Sequence, residues 1–302
     1  MRPGTTKSIW IHTVQEVKDA FRSKRALFLL IIYLAGSIAA SAFFINAMKK
    51  VEDRLLSTLQ LAESDSVGKV TQTLWETGFI RHMLNDMIKN ETLTDHIVQQ
   101  SPISIFYWWL SYTFAPLVMM LISTARIAEE ISIGSARFVL YRTSLFTWIM
   151  GKFLAQAVLL LPALLLSGFG AWIVAYFRLS FFDPGTTAIE LLIISLKVIV
   201  YTFSYLGLAI GVSQLTRSSN LATVLGFVGV IVISVIAAAC NHFRGIGIES
   251  LLNIPYWLTP QAHRLGLLWP EPAHMVPAIC MLIALGFAYI LPGYFFLNRR
   301  DF

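Results

Sequence analysis

The chain has 302 residues, 56% of them hydrophobic and only 13% charged, whereas a soluble domain carries about 25% charged residues. That composition excludes an ordinary water-soluble fold, and the mean hydropathy of +0.68 agrees. The net charge of +6 fits the lysine and arginine bias at the inner face of membrane proteins, so no nucleic-acid partner is expected.

Residues 1–25 read as a cytoplasmic amphipathic helix. In SIWIHTVQEVKDAFRSK, Trp10, Val14, Val17 and Phe21 fall on one stripe at helical spacing, with Glu16, Lys18, Asp19 and Arg22 largely elsewhere. Such a helix lies on the lipid bilayer surface, either as a simple anchor or also touching a partner. Because 25 polar-to-amphipathic residues precede the first apolar run, a retained anchor rather than a cleaved signal is expected.

A bilayer crossing needs about 20 apolar residues, and six such spans follow, at 26–45, 104–124, 149–176, 188–212, 220–240 and 274–297. Pro116 and Pro162 are expected to kink the second and third. The fold class is thus an all-α membrane protein of six transmembrane helices.

Residues 46–103 read as a helical extracytoplasmic insertion. Met48, Val51, Leu55 and Leu59 continue the first helix outward. Val67, Val70 and Leu74, then Ile80, Met83 and Met87, return in a helix or pair broken near Gly78. So short a segment is marginal as an independent core, which favours a cap packed on its own stalk or on a second copy. Residues 125–148 form a cytoplasmic polar connection, and 298–302 a cytoplasmic tail. The connection 241–273 is long and apolar, rich in residues such as Tyr256, Trp257 and Trp269, and Pro255 and Pro260 forbid one continuous helix. It reads as outer re-entrant half-helices.

Orientation follows from lysine and arginine in the short flanks. Arg2, Lys7, Lys18, Arg22, Lys24 and Arg25 precede the first span; Arg126, Arg137 and Arg142 lie in the polar connection; Arg217, Arg299 and Arg300 follow later spans. The shorter connections of the opposite side hold only Arg178, Arg244 and Arg264. Both termini are therefore expected inside. Tyr107, Trp108, Trp109, Trp172 and Tyr176 read as aromatic anchors at the outer interface.

Nucleotide machinery is not written in the chain. The Gly151-Lys152 pair is followed by Phe153, and Phe146 stands where a phosphate loop needs its first glycine. No cofactor is expected on this chain, and no catalytic residue is assigned. Cys240 with His242 is too sparse a pair to assign as a metal site, so none is expected.

The stretch AEEISIGSARFVLYRTSLFTWIMGK, together with FRSKRALFLL before the first span and FFLNRRDF at the end, resembles the permease subunits of type-2 ATP-binding-cassette exporters. Members of that branch include sodium-export, drug-resistance and copper-enzyme-maturation permeases. In that family an acidic pair, a Gly followed by Ser or Thr, a basic residue, a stretch ending in Arg and then Gly-Lys join the second and third spans. Here those positions are Glu129-Glu130, Gly134-Ser135, Arg137, Arg142 and Gly151-Lys152. Thr143-Ser144 departs from the proline that many members carry near the turn, and the outer insertion is longer than in the most compact members.

The resemblance implies a coupling helix that, with the N-terminal helix, seats two ABC ATPase subunits carrying ATP and Mg. It also implies a second permease copy or a similar permease as partner, and a bacterial cytoplasmic (inner) membrane location. An extracytoplasmic accessory protein is a further candidate partner. The residues fit such a lever. In a helix beginning near Ile127, Glu129 and Glu130 meet the positive N-terminal end, Gly134-Ser135 permit a break, and Phe138, Leu140 and Tyr141 offer apolar surface. The plain alternative is a solvated loop that only sets topology.

Charged residues inside a span are costly and mark pathways. Lys197, with Glu190 two turns earlier and Tyr201 nearby, is a candidate substrate path. One reading has Lys197 facing a dimer cavity and attracting an anionic part of the cargo. The others are a lysine snorkelling to the interface or a structural pair with Glu190. Two further function classes stand beside the exporter: a membrane scaffold that kept the permease fold, and an ion-driven carrier, which would usually show an internal repeat.

Overall fold

The computed structural model describes residues 5–22, 24–59, 79–88, 90–179, 183–243 and 249–299. All regular structure among the described residues is helical: α1 Thr5–Arg22, α2 Lys24–Leu59, α3 Phe79–Ile88, α4 Glu91–Val98, α5 Pro102–Ser123, α6 Ala125–Ile133 and α7 Ser135–Arg142, then α8 Leu145–Arg178, α9 Pro184–Ser213, α10 Ser219–His242, α11 Glu249–Trp257, α12 Pro260–Arg264 and α13 Pro272–Asn298. Proline opens α5, α9, α12 and α13. Its fixed φ suits the first helical position, and the N–H it lacks would have had no partner there.

Six runs are long and apolar enough to cross a membrane: Ala26–Val51, Pro102–Ile133, Leu145–Arg178, Pro184–Ser213, Ser219–His242 and Pro272–Asn298. At about 1.5 Å per residue, the 34 residues of α8 run to about 51 Å, well beyond a hydrocarbon core of about 30 Å. Each of α5 and α8 continues through its proline, Pro116 or Pro162. The chain divides into two compact units, one of Met1–Ile31, Tyr112–Pro162 and Ile199–Phe302, the other of Ile32–Ser111 and Ala163–Val198.

In the first unit, Phe153, Phe203 and Phe287 form an aromatic core, with ring centroids 4.5 to 5.7 Å apart. The helices α9 and α13 touch backbone to backbone: a Cβ on Gly207 would lie 1.9 Å from the Gly286 carbonyl oxygen. The segment α11–α12 is fastened on several sides. The Tyr289 hydroxyl donates to the Leu258 carbonyl, and the Gln261 amide donates to Ser234 at 3.1 Å. The Arg264 guanidinium lies 5.6 Å from the Tyr112 ring centroid. Pro255 lies inside α11, and the break falls only at Thr259 before Pro260. So short a helix loses little by the one backbone bond that Pro255 cannot donate.

In the second unit, Phe44 and Phe106 stack at 4.3 Å beside Ile45, Ile103 and Ala175. Hydroxyls join its helices: Ser167 donates to Ser37 at 2.6 Å, and Tyr107 donates to the Leu164 carbonyl at 2.8 Å. Tyr107 and Trp108 are buried, so of the expected aromatic belt on α5 only Trp109 is exposed. Burial of Tyr107 is sustained because its hydroxyl finds that carbonyl within the unit. In α4, Asn90 caps the helix through Leu93 N–H, Leu93 and Ile97 are buried, and Asp95 makes a two-pronged ion pair with Arg81 of α3. The break expected near Gly78 lies outside the described residues.

Candidate functional site

The polar connection between α5 and α8 is a two-helix elbow. Thr124 keeps α6 almost in line with α5: its backbone stays helical and its hydroxyl donates to the Met120 carbonyl at 2.7 Å. The first N–H groups of a helix lack intrahelical acceptors; in α6, Ile127 and Ala128 both donate to the Ser213 hydroxyl at the end of α9, each at 3.0 Å. Gly134 ends α6 at φ +81°, a left-handed conformation that glycine adopts without a Cβ penalty. The chain restarts at once as α7, and the Ser135 hydroxyl donates back to the Glu130 carbonyl at 3.3 Å. Thr143 is extended, and Ser144 then receives the Thr147 N–H at 3.3 Å as the cap of α8. Serine thus does at this turn what a proline would do by stiffness.

Beneath the elbow lies a buried charge cluster. Lys152 of α8 has only 3% of its side chain exposed, and its ammonium pairs with Glu16 of α1 at 2.9 Å and Glu130 of α6 at 2.5 Å. The Trp148 indole N–H, one turn earlier, donates to the other Glu130 oxygen at 3.2 Å. The helix α1 can sit this close because Gly151 has no side chain: a Cβ there would lie 2.6 Å from that of His12. His12 is held below the usual histidine range, first by burial and then by the Lys152 charge, with Glu130 and Glu16 pulling the other way. A cleft of about 100 Å³ opens beside the cluster, lined also by Gln15, Asp19 and Val139. A buried lysine is tolerated only when paired; here its two carboxylates come from two different helices, so one ammonium ties α1, α6 and α8 together.

Of the residues expected to carry coupling, Glu130 enters this cluster, and Gly134 and Ser135 form the elbow. Glu129, Arg137 and Arg142 are exposed on its surface. The expected dipole role of Glu129 and Glu130 is corrected: α6 starts at Ala125, its first turn holds no acidic residue, and Glu130 is spent on Lys152 and Trp148. Phe138 and Tyr141 of α7 point outward, 80% and 91% exposed, while Ala136 is buried; Ile133 at the end of α6 is 73% exposed. The helix α1 turns Thr13 and Ala20 inward and leaves Trp10 and Phe21 exposed.

Lys152 is the residue that sequence reasoning missed in this role. The signal was available: it is a lysine inside a long apolar helix, and such a residue demands carboxylates from elsewhere.

The path residues separate. Glu190 accepts from the Ser101 N–H and hydroxyl at 3.1 and 2.9 Å, so the carboxylate serves the start of α5. The structural pair with Lys197 is corrected on that ground: among the described residues Lys197 has no ion-pair partner. Tyr201 is buried, its hydroxyl 3.0 Å from that of Tyr205 and its ring 4.8 Å from Tyr112. Cys240 is buried and His242 exposed at the end of α10.

A model of the family described as ABC-2 family transporter protein matches residues 10–265. No curated protein matches the chain.

Proposed function

The chain belongs to the ABC-2 family of transporter proteins, and from that premise we propose that it is the membrane-spanning subunit of an ATP-driven exporter. Membership makes it a multi-pass membrane protein, a permease that partners ABC ATPase subunits. In our reading two permease copies enclose the pathway and two ATPases supply the energy from the cytoplasmic side, where α1, α6, α7 and both termini lie. The outward-turned Phe138 and Tyr141 of α7 fit an apolar groove on the ATPase, as amphipathic helices dock in grooves. Displacement of α6–α7 then reaches two long helices by separate links, α8 through Glu130–Lys152 and α9 through Ser213. The single observation that carries the proposal is the buried Lys152 joining α1, α6 and α8.

The test needs no knowledge of the cargo. The chain is co-purified with its ATPase, spin-labelled at Trp257→Cys in a background without Cys240 and Cys280, and trapped with ATP and vanadate. The intact complex shows a shift in the distance between the two labels. Lys152→Met and Gly134→Val keep the ATPase bound and hydrolysing but lose the shift. An unchanged shift in both variants rejects the lever, and a chain that never holds an ATPase points instead to the scaffold.

A further inference from the structure

Lys197 is residue 14 of the 30-residue helix α9, roughly 20 Å from either end at about 1.5 Å per residue. Half of a hydrocarbon core is about 15 Å, so if α9 crosses the membrane, a four-carbon stem from its middle does not bring the ammonium to the headgroups. With α9 centred on the bilayer, snorkelling does not satisfy the ammonium. Glu190 makes no ion pair with Lys197; its Oε2 accepts from the Ser101 N–H and hydroxyl instead. An ammonium in this place has no anion among the described residues, and a charged group within a span marks a transport pathway by default.

The surroundings define that solute. On the first half of α9, Ile189, Leu192, Ile193 and Leu196 form an apolar stripe, each between 44% and 62% exposed. The stripe stops at Lys197; from there to Ser213 no residue of α9 is exposed. An apolar track thus ends on one half-buried positive charge. We propose that this track and Lys197 form a binding site for an acidic amphiphile, its acyl chain on Ile189–Leu196 and its phosphate or carboxylate at the ammonium. The proposal rests on the permease reading and names the class of its cargo. A zwitterionic lipid brings its own cation to the same place and gains less there.

The purified full chain, without any ATPase, is titrated with three equally labelled fluorescent probes: phosphatidylglycerol, a fatty acid and phosphatidylcholine. A charge-assisted contact at Lys197 gives at least one acidic probe a preference of about tenfold over phosphatidylcholine. Lys197→Met and Lys197→Gln abolish the preference, and Lys197→Arg keeps it. Phosphatidylglycerol favoured over the fatty acid assigns the site to phosphate, and the reverse assigns it to carboxylate. Equal binding of all three probes overturns the proposal, as does a preference that survives Lys197→Met or Lys197→Gln, because the stripe is then a surface for bulk lipid or a second copy. Loss of the preference leaves the permease reading intact, and failure to recruit an ATPase leaves the binding site intact.

Discussion

Two carboxylates and one ammonium at the Lys152 cluster leave a formal excess of one negative charge, and His12 beside them stays neutral because burial disfavours its charged form. The sign of the resulting pH effect is fixed. Well above pH 6.5 the imidazole is neutral in both the folded and unfolded chain and contributes nothing. As the pH falls through the unfolded value of 6.5 towards the lower folded value, the unfolded chain binds a proton that the folded chain refuses, so stability declines. The detergent-solubilised chain should therefore melt at a lower temperature at pH 5.5 than at pH 7.5, and His12→Asn should flatten that part of the profile. An unchanged slope in His12→Asn would assign the acid sensitivity to other groups. The polar members of the elbow were legible in the sequence as a motif, but their partners were not. Nothing in a linear reading says that Glu16, 136 residues before Lys152, is the carboxylate it meets.

Among the elements, the contact between α9 and α13 is the most demanding. Alanine for glycine in an exposed helix usually stabilises by about 1 kcal/mol. At Gly207 the new methyl would meet the Gly286 carbonyl oxygen at 1.9 Å, so the helices must part. We expect Gly207→Ala to cost about 1–3 kcal/mol, in the range of overpacked cores, read as an earlier thermal transition. Stabilisation by the same change would mean that this crossing is looser than described. The six apolar runs were legible from composition alone, because length and hydropathy suffice to find them. Helix faces were less so. In α1 the stripe read as facing the headgroup boundary leaves Trp10 and Phe21 exposed, while Thr13 and Glu16 on the other side meet Gly151 and Lys152 of α8. What the stripe could not show is which helix the opposite face meets. No single helix runs through 241–273, but the break comes at Pro260 alone; Pro255 is accommodated because its helix is short.

For the whole molecule, we propose a permease whose charged elbow receives an ATPase on the inner side and passes its motion to long helices. It rests on the elbow facing the cytoplasm, the orientation we read from the lysine and arginine distribution, and on α7 meeting the ATPase by Phe138 and Tyr141. The most direct measurement is the labelling rate of Tyr141→Cys by a membrane-impermeant maleimide, in a chain whose Cys240 and Cys280 are replaced by alanine. In inside-out vesicles the thiol should react rapidly when the chain is expressed alone and several-fold more slowly when its ATPase is co-expressed; intact cells should give no labelling. Labelling from intact cells, or a rate in vesicles indifferent to the ATPase, would contradict the account.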